Sequence, residues 1–403
     1  MKHIILLFLI VVTSFLYSSD LSLLSPEKQS YYKEQQNQIN SGYEKLRTDW
    51  ISPINLKASS IYEKSASMGM RDVRQNLSVG MAQDIFRSGG IEYSIGYAQE
   101  KKNADTSAMD KEIAGLNQQL VTAVLNYQKN ALLLQQSEIR LKNTKIEIFL
   151  KQKQYEAGAV DITLLNNALM TQSGELKNNT TIRFALAQQR LETTKLTNHP
   201  IDTLTLPTFT LAQKENFLNE GWNIHYANAI AQSNEQQFGQ IKTSYLPKLT
   251  LIADAGLQRL DGQNSSLGDY RGNFYDAGLQ LSIPIAYNAS DALQEAQAAT
   301  LKQRASIADT KRQLEGVYEQ SLSHIESYQS VITITKENLN FYRELITATK
   351  AAVDAGYKAG YDLQTLQNTR SIEELEIQIN RINIQIELAT LHFLMRQPSK
   401  EPL

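Results

Sequence analysis

The chain has 403 residues and no cysteine. The absence of cysteine excludes disulfide bonds, thiolate metal sites and cysteine nucleophiles. There are only 8 prolines, and because proline interrupts helix interiors, their scarcity leaves room for very long helices. Positive and negative side chains nearly balance, with 40 Lys and Arg against 42 Asp and Glu. Nothing in the charge therefore indicates a nucleic-acid partner.

Long apolar runs are also missing, apart from one at the N-terminus. There Met1-Lys2-His3 precede an apolar run from Ile4 to Leu16, and small residues follow it. This pattern is typical of a secretory signal peptide. A membrane anchor is the alternative, but a span needs about 20 apolar residues. We therefore predict a signal peptide over residues 1–19 and a mature protein that leaves the cytoplasm.

No catalytic or metal-binding motif stands out in the sequence. The 5 histidines are scattered without the spacing of metal ligands, and no glycine-rich phosphate loop or serine elbow occurs. Glu373 and Glu374 are neighbours on a predicted helix, so their carboxylates point in different directions. We predict a protein that is not an enzyme and uses no cofactor or metal ion.

What the sequence does contain is a pattern written twice, Tyr-x-Ala-Gly-x4-Thr-Leu-x-Asn. It starts at Tyr155 and again at Tyr357, 202 residues later, which is half of the chain. A long helix with periodic apolar residues runs into each copy, and another runs out. We therefore predict two structural repeats, residues 20–200 and residues 201–403, each with a long helical hairpin. The predicted turns of the two hairpins are at Gly158 and Gly360.

Each half also contains one segment typical of a β-hairpin, preceded by a polar helix. In the second half, apolar and polar residues alternate from Leu249 to Leu257, a polar loop follows over residues 261–272, and Leu279 to Ile285 form the return strand. In the first half the strand signal between Pro53 and Gly96 is weaker. The polar helices are predicted at residues 25–48 and 213–243.

The helix after Gly360 has the clearest apolar pattern in the chain. One stripe recurs at alternating spacings of three and four, and a second recurs every seven residues on another face. The first stripe consists of Ile372, Leu375, Ile379, Ile382, Ile386, Ala389 and Phe393, and the second of Ile377, Ile384 and Leu391. Two stripes predict two helical neighbours, as for a helix in the wall of a closed helical cylinder.

Two hairpins supply four strands, which are too few for a membrane barrel of at least about eight strands. Open strand edges are not tolerated in lipid. A membrane-spanning role therefore demands an oligomer, and three chains with four strands each would supply twelve.

With these features the sequence resembles the TolC-type outer-membrane efflux channel family over nearly the whole mature chain. The resemblance implies a mostly α fold with a β-barrel part. Long α-helical hairpins would form a trimeric helical barrel, and four strands per chain would complete a 12-stranded transmembrane β-barrel. Besides the doubled pattern, the resemblance rests on the junctions Ile85-Phe86-Arg87-Ser88-Gly89-Gly90, Tyr245-Leu246-Pro247-Lys248-Leu249 and Leu281-Ser282-Ile283-Pro284-Ile285.

The resemblance also implies a function and a set of partners. The protein would be the passive exit duct of a tripartite efflux pump or type I secretion system in the outer membrane of a Gram-negative bacterium. A helical extension would reach into the periplasm and open at its tips. The partners would be two further copies, outer-membrane lipid, a periplasmic adaptor and, through it, an inner-membrane transporter. A periplasmic coiled-coil adaptor or structural protein is the alternative, but an adaptor would have one hairpin flanked by small β-domains.

By this resemblance the two patterns form the periplasmic tips and dock the adaptor. Family members often carry aspartates after the tip glycine that form a cation-binding constriction. Counted from Gly158 and Gly360, the sixth residues are Leu164 and Leu366, and the ninth are Asn167 and Thr369. The candidate docking residues are Tyr155, Ala157, Gly158, Thr163, Leu164, Tyr357, Ala359, Gly360, Thr365 and Leu366.

Asp161, Asp362 and Arg370 are the candidate gate residues. A ring of three Asp362 carboxylates would narrow the pore and favour cations. Alternatively, both aspartates only stabilise the N-termini of the helices that follow them. Tyr155, Tyr357 and Arg370 would hold a closed state through hydrogen bonds between hairpins.

Overall fold

The computed structural model describes residues 20–64, 71–263 and 270–396. The predicted signal peptide lies outside the described residues. None of the helices in these ranges has a stretch both long and apolar enough to cross a membrane. The elements are α1 (Pro26–Thr48), β1 (Asn55–Lys64), β2 (Arg71–Phe86), α2 (Gly90–Glu156), α3 (Ile162–Thr194), a 3-10 turn (Ile201–Thr203), α4 (Lys214–Asn219), α5 (Trp222–Ser244), β3 (Lys248–Gln263), β4 (Tyr270–Ser282), α6 (Ala289–Asp354) and α7 (Gly360–Leu394).

Most helices lie where the sequence predicts them, with one correction. α1 starts at Pro26, because proline presets the helical φ angle and has no amide to leave unpaired at the first position. The single polar helix predicted over residues 213–243 is wrong, since α4 and α5 are separated near Gly221. A Cβ at Gly221 would lie 2.8 Å from the side chain of Leu314. A larger residue here would force the buried Leu314 side chain to move, and glycine itself weakens a continuous helix.

The chain forms two compact units, each drawn from both sequence halves. Helices α2 and α6 contribute residues to both units. Along the sequence the order of helix, two strands, long helix and shorter helix occurs twice, and the division into repeats at residue 200 stays a prediction. The helical unit contains Met1–Lys33, Met109–Ile224 and Thr310–Leu403, and the sheet unit contains Glu34–Ala108 and His225–Asp309.

The sheet unit is built around a four-stranded antiparallel sheet in the order β1-β2-β3-β4. Its register pairs Leu77 with Leu257 and Ala255 with Tyr275. The predicted return strand is wrong at both ends, because β4 starts at Tyr270 and stops at Ser282. The strand ends before Pro284, since proline cannot donate a ladder hydrogen bond. Its beginning was missed because residues 270–273 lack apolar alternation.

In the helical unit, α7 packs against both α2 and α6. Ala389 and Phe393 of α7 share a buried cluster with Val121 of α2 and Ile325 of α6. Hydrogen bonds also join α7 to both neighbours. Gln136 of α2 donates to Glu376 of α7 at 2.9 Å, and Ser321 of α6 donates to Glu387 of α7 at 3.0 Å. The prediction that α7 has two helical neighbours is confirmed.

The remaining long helix of this unit, α3, packs on the other flank of α2. Ser137 Oγ of α2 donates to Glu175 at 2.7 Å, and Asn179 Nδ2 donates to Ser137 Oγ at 3.3 Å. Within the helical unit the side-by-side order is therefore α3-α2-α7-α6, with α3 and α6 at the two edges.

Candidate functional site

The first hairpin turn lies between α2 and α3 and is made by Gly158. Gly158 has φ +68°, a left-handed conformation that glycine adopts without steric cost. Its amide donates to Tyr155 O at 2.9 Å, and the amide of Ala159 donates to Gln154 O at 2.8 Å. This pair of hydrogen bonds is a Schellman motif, which satisfies carbonyls at the end of α2.

Asp161 then starts α3 as its N-cap. Its carboxylate accepts hydrogen bonds from the Thr163 amide at 2.7 Å and from Thr163 Oγ1 at 2.5 Å. The hydrogen bond from the Thr163 hydroxyl lowers the pKa of Asp161 below its ordinary value, and the hydrogen bond from the Thr163 amide lowers it further by a smaller amount. The structure thus gives Asp161 the capping role that was the alternative to a gate.

The second hairpin turn is made by Gly356 and not by Gly360. Gly356 has φ +77°, its amide donates to Val353 O at 2.9 Å, and the Tyr357 amide donates to Ala352 O at 2.8 Å. This is the same Schellman motif as in the first turn. Gly360 is the first residue of α7, so the prediction that it makes the turn is wrong.

The corrected turn changes which residues correspond between the hairpins. The turn glycines Gly158 and Gly356 are 198 residues apart, whereas the sequence pattern repeats at 202. The sixth residue after Gly356 is Asp362 and the ninth is Thr365, in place of Leu366 and Thr369. An acidic residue therefore does occupy the sixth position after the turn glycine of the second hairpin. The sequence pattern placed that glycine four residues too late and so assigned this position to Leu366.

Asp362 lies in the first turn of α7, beside a groove of about 450 Å³ between α7 and α2. The N-cap of α7 is Ala359, whose side chain makes no capping hydrogen bond. Tyr361 packs against Phe149 of α2, with ring centroids 5.3 Å apart. The groove is lined by Asn143, Ile146, Glu147, Leu150, Lys151, Gln154, Asp362, Thr365 and Leu366.

The other predicted residues lie around these two turns. Arg370 forms an ion pair with Glu374 of its own helix at 2.9 Å, so the hydrogen bonds between hairpins predicted for it stay a prediction. Tyr357 is 87% exposed, and Tyr155 and Leu164 are also exposed. Tyr155 lies in the last turn of α2, and Ala157 and Tyr357 lie in the hairpin turns. Thr163 and Leu164 are in the first turn of α3, and Thr365 and Leu366 are on α7.

The two faces of the sheet differ in chemistry. Because side chains alternate along a strand, the register assigns one mostly apolar face and one mostly polar face. The apolar face carries Leu56, Leu77, Val79, Leu251, Ala253, Ala255, Leu257, Tyr275, Ala277, Leu279 and Leu281. The polar face carries Lys57, Ser59, Arg74, Asn76, Ser78, Thr250, Asp254, Gln258, Asp276 and Gln280. The large side chains of the apolar face are exposed in the single chain.

Further exposed apolar residues lie on the two edge helices of the helical unit. On each helix they recur at helical spacing, so they form a stripe and not scattered positions. The α3 stripe is Ile162, Leu169, Leu176, Phe184 and Leu191, and the α6 stripe is Val331, Ile334, Phe341 and Leu345. Large exposed apolar stripes of this kind mark surfaces that another molecule covers.

Solved structures share this arrangement. VceC, an outer membrane protein of Vibrio cholerae, aligns with a TM-score of 0.71 at 16% identity, covering 92% of this chain and 93% of VceC. The CmeC outer membrane channel of Campylobacter jejuni aligns with a TM-score of 0.71 at 12% identity, covering 95% and 86%. The chain has the TolC-type fold.

The MtrE outer membrane channel of Neisseria gonorrhoeae, in an open state, shares this TolC-type fold with a TM-score of 0.63 at 14% identity, covering 91% of this chain and 85% of MtrE. No protein-family model and no curated protein matches the sequence. The predicted fold class is confirmed as mostly helical with a four-stranded antiparallel sheet.

Proposed function

We propose that this protein is the outer-membrane exit duct of a tripartite efflux pump or type I secretion system and works as a homotrimer. The observation that carries the proposal is the sheet, which combines an exposed apolar face, a polar face and two edge strands. An isolated sheet of this kind leaves both an apolar surface and unpaired backbone groups without partners. Insertion into a bilayer as part of a closed barrel satisfies both.

The apolar face has the strand length that a bilayer requires. From Leu249 to Leu257 on β3 the outward residues are Leu, Leu, Ala, Ala and Leu. This stretch has nine residues, and a tilted strand of about 9–11 residues crosses a bilayer. The polar face would then line the pore.

Ring closure would pair β4 of one copy with β1 of the next. At one end of the sheet both edges carry exposed apolar side chains, which a neighbouring copy would cover. These are Ile51 and Ile54 before β1, and Ile283, Ile285 and Tyr287 after β4. Three copies would bring the strand number to twelve, within the range of membrane barrels.

The helical unit supports the same closure. Its two exposed stripes lie on different helices, α3 and α6, at opposite edges of the order α3-α2-α7-α6. A contact between α3 of one copy and α6 of the next is heterologous, and such contacts form a ring when the rotation between copies closes. The same step would bury the apolar stripes of both helices.

The hairpin turns would face the periplasm and dock an adaptor that connects to an inner-membrane transporter. In the trimer, Asp362 would form a ring of three carboxylates, and such rings favour cations. Asp161 caps α3 and would not contribute to this ring.

In a planar-bilayer recording, Asp362→Asn should reduce the preference for cations, whereas Asp161→Asn should leave it unchanged. Equal cation selectivity in wild type and Asp362→Asn would contradict the proposed carboxylate ring.

Fractionation tests the duct against the alternative of a soluble adaptor or structural protein. The mature chain should be extracted from the outer membrane as a trimer and should conduct ions in a planar bilayer. Leu169→Glu, in the α3 stripe, should lower the temperature at which the trimer dissociates. Thr171→Glu adds the same charge two residues away, on nearly the opposite side of the helix, and should not. A soluble monomer would contradict the proposal.

A further inference from the structure

A pocket of about 380 Å³ lies in the sheet unit, where the strand-helix junctions meet. It is bounded by the end of β2, the start of α2, the end of α5, the start of β3 and the end of β4. All three junction segments quoted from the sequence contribute to it, although none of them belongs to the hairpin turns. Residues that line it include Asp84, Arg87, Ser94, Gln240, Lys248 and Ser282.

The charges in this pocket do not balance. Arg87 Nε donates to Asp84 Oδ2 at 2.7 Å, and Lys248 Nζ lies 3.7 Å from the same oxygen. The other oxygen, Asp84 Oδ1, accepts a hydrogen bond from Thr250 Oγ1 at 2.5 Å. A single carboxylate, only 9% exposed, therefore serves two cations. The pocket keeps a net positive charge.

The backbone adds to that positive potential. Gly90, the first residue of the 67-residue helix α2, also lines the pocket. The Gly90 amide donates to Arg87 O at 2.8 Å, so the helix contributes the positive end of its dipole, which favours an anion. By itself this feature would indicate little, but here it lies beside two cationic side chains.

The pocket is held in shape by a bent junction. Ser88 and Gly89 have φ of 49° and 89°, which turns the chain sharply between β2 and α2. Ser88 Oγ donates to Pro247 O at 2.6 Å, and this contact joins the junction before α2 to the one before β3. Arg87 and Lys248 are thus brought together by fixed backbone, not by flexible side chains alone.

A structural ion pair is the plainer explanation for these residues. It accounts for Asp84 and Arg87, which link a strand end to the following turn. It does not account for Lys248, which is a second cation at the same oxygen and keeps 47% of its side chain exposed. Arg87 and Lys248 repel each other, because the single negative charge of Asp84 cannot neutralise both. A bound anion would relieve that repulsion.

We propose that this pocket binds an oxyanion, namely a sulfate, a phosphate or the carboxylate of a solute. Lys248, Asp84 and Ser282 lie on the polar face of the sheet. The proposal rests on the proposed function in one respect, because that function turns the polar face toward the pore. The ligand source is then a solute in the pore and not a lipid headgroup.

Calorimetric titration of the detergent-purified full-length protein with sodium sulfate, at constant ionic strength in chloride, tests the site. We expect one sulfate per chain. Lys248→Gln should weaken binding about tenfold or more, the effect of losing one charge-assisted contact, and it leaves the Asp84–Arg87 pair intact. Lys242→Gln removes an exposed cation outside the pocket lining and should change nothing. Equal affinity in wild type and Lys248→Gln, or no binding beyond chloride, would overturn the site.

A second measurement separates the two sources of the oxyanion. The same titration is made in nanodiscs of zwitterionic lipid and of anionic lipid. Sulfate affinity should be equal in both if the pocket opens to the pore, and loss of binding in anionic lipid alone would contradict a solute site. Conduction is measured independently, so a conducting trimer that binds no sulfate overturns only the oxyanion site. A sulfate-binding protein that forms no trimer overturns the duct.

Discussion

The two hairpin turns share one backbone geometry but differ in how the next helix begins. α3 starts at Asp161, whose carboxylate accepts two hydrogen bonds from Thr163. α7 starts at Ala359, which offers no cap, and its first residue is Gly360. An N-cap side chain and a good helix former both stabilise a helix start, so the first turn of α7 is the weaker. We therefore expect the first turn of α7, which contains Asp362, to unwind more easily than the first turn of α3.

The largest effect is expected from valine at the turn glycines. Gly158→Val and Gly356→Val force a branched residue into the left-handed region, which costs about 1–2 kcal/mol or more. Hydrogen exchange followed by mass spectrometry should show about tenfold faster exchange around each turn. Gly360→Val is the matched control, because residue 360 is helical. If Gly360→Val had the effect and Gly356→Val did not, the turn assignment would be wrong.

A smaller effect is expected at the aromatic contact of the second turn. Tyr361 packs on Phe149, and an aromatic pair contributes about 0.5–1.5 kcal/mol beyond the area it buries. Tyr361→Ala should therefore increase exchange in the first turn of α7 several-fold and leave α3 unchanged. Tyr357→Ala, at an exposed residue of the same turn, is the control. Equal exchange in both variants would mean that the contact does not hold α7.

Exchanging the caps should make the two turns more alike. Ala359→Ser supplies the missing acceptor at the start of α7 and should slow exchange there about threefold, within the range that N-caps provide. Asp161→Ala should increase exchange at the start of α3. Serine adds no charge near Asp362, so the comparison isolates the cap. Unchanged exchange in Ala359→Ser would show that capping is not what distinguishes the turns.

The smallest effect is a pH dependence expected at the first turn. The pKa of Asp161 is lowered in the folded turn, relative to about 3.9 in an unfolded chain. Stabilisation by the cap is therefore complete above the unfolded value and is lost as the pH falls through the folded value. After correction for intrinsic rates, protection at the start of α3 should fall below about pH 4. Asp161→Asn should remove this dependence.

Sequence reasoning predicted the turn geometry but misplaced one turn by four residues. Near the turn, Ala-Gly occurs once in the first hairpin, at residues 157–158, and twice in the second, at 355–356 and 359–360. Matching of residue identities selects Gly360, since Tyr357 and Asn368 then also match. Backbone hydrogen bonding selects Gly356. Gly356 follows the end of α6, whereas Gly360 begins α7, and the repeated sequence pattern does not distinguish these two positions.

The sheet shows the same limit in another form. Alternation revealed β3 from Leu249 onward, because its apolar face is nearly continuous. The start of β4 at Tyr270 is polar and contains Gly272, and only pairing with β3 makes it a strand. The oxyanion pocket had no local signal either, since Arg87 and Lys248 are far apart in the sequence. Their junction segments were recognised, but their meeting depends on the register of β2 with β3.

The unpaired edges of the single chain have a consequence for its biogenesis. If the chain is exported and forms a trimer as proposed, each new copy would expose β1, β4 and the stripes on α3 and α6 until neighbours cover them. Open strand edges and apolar stripes are also the surfaces through which chains aggregate. Assembly of the proposed trimer would therefore compete with aggregation, and the outcome would depend on how fast copies meet. We expect slow, cool expression to raise the yield of assembled protein more than any single stabilising substitution.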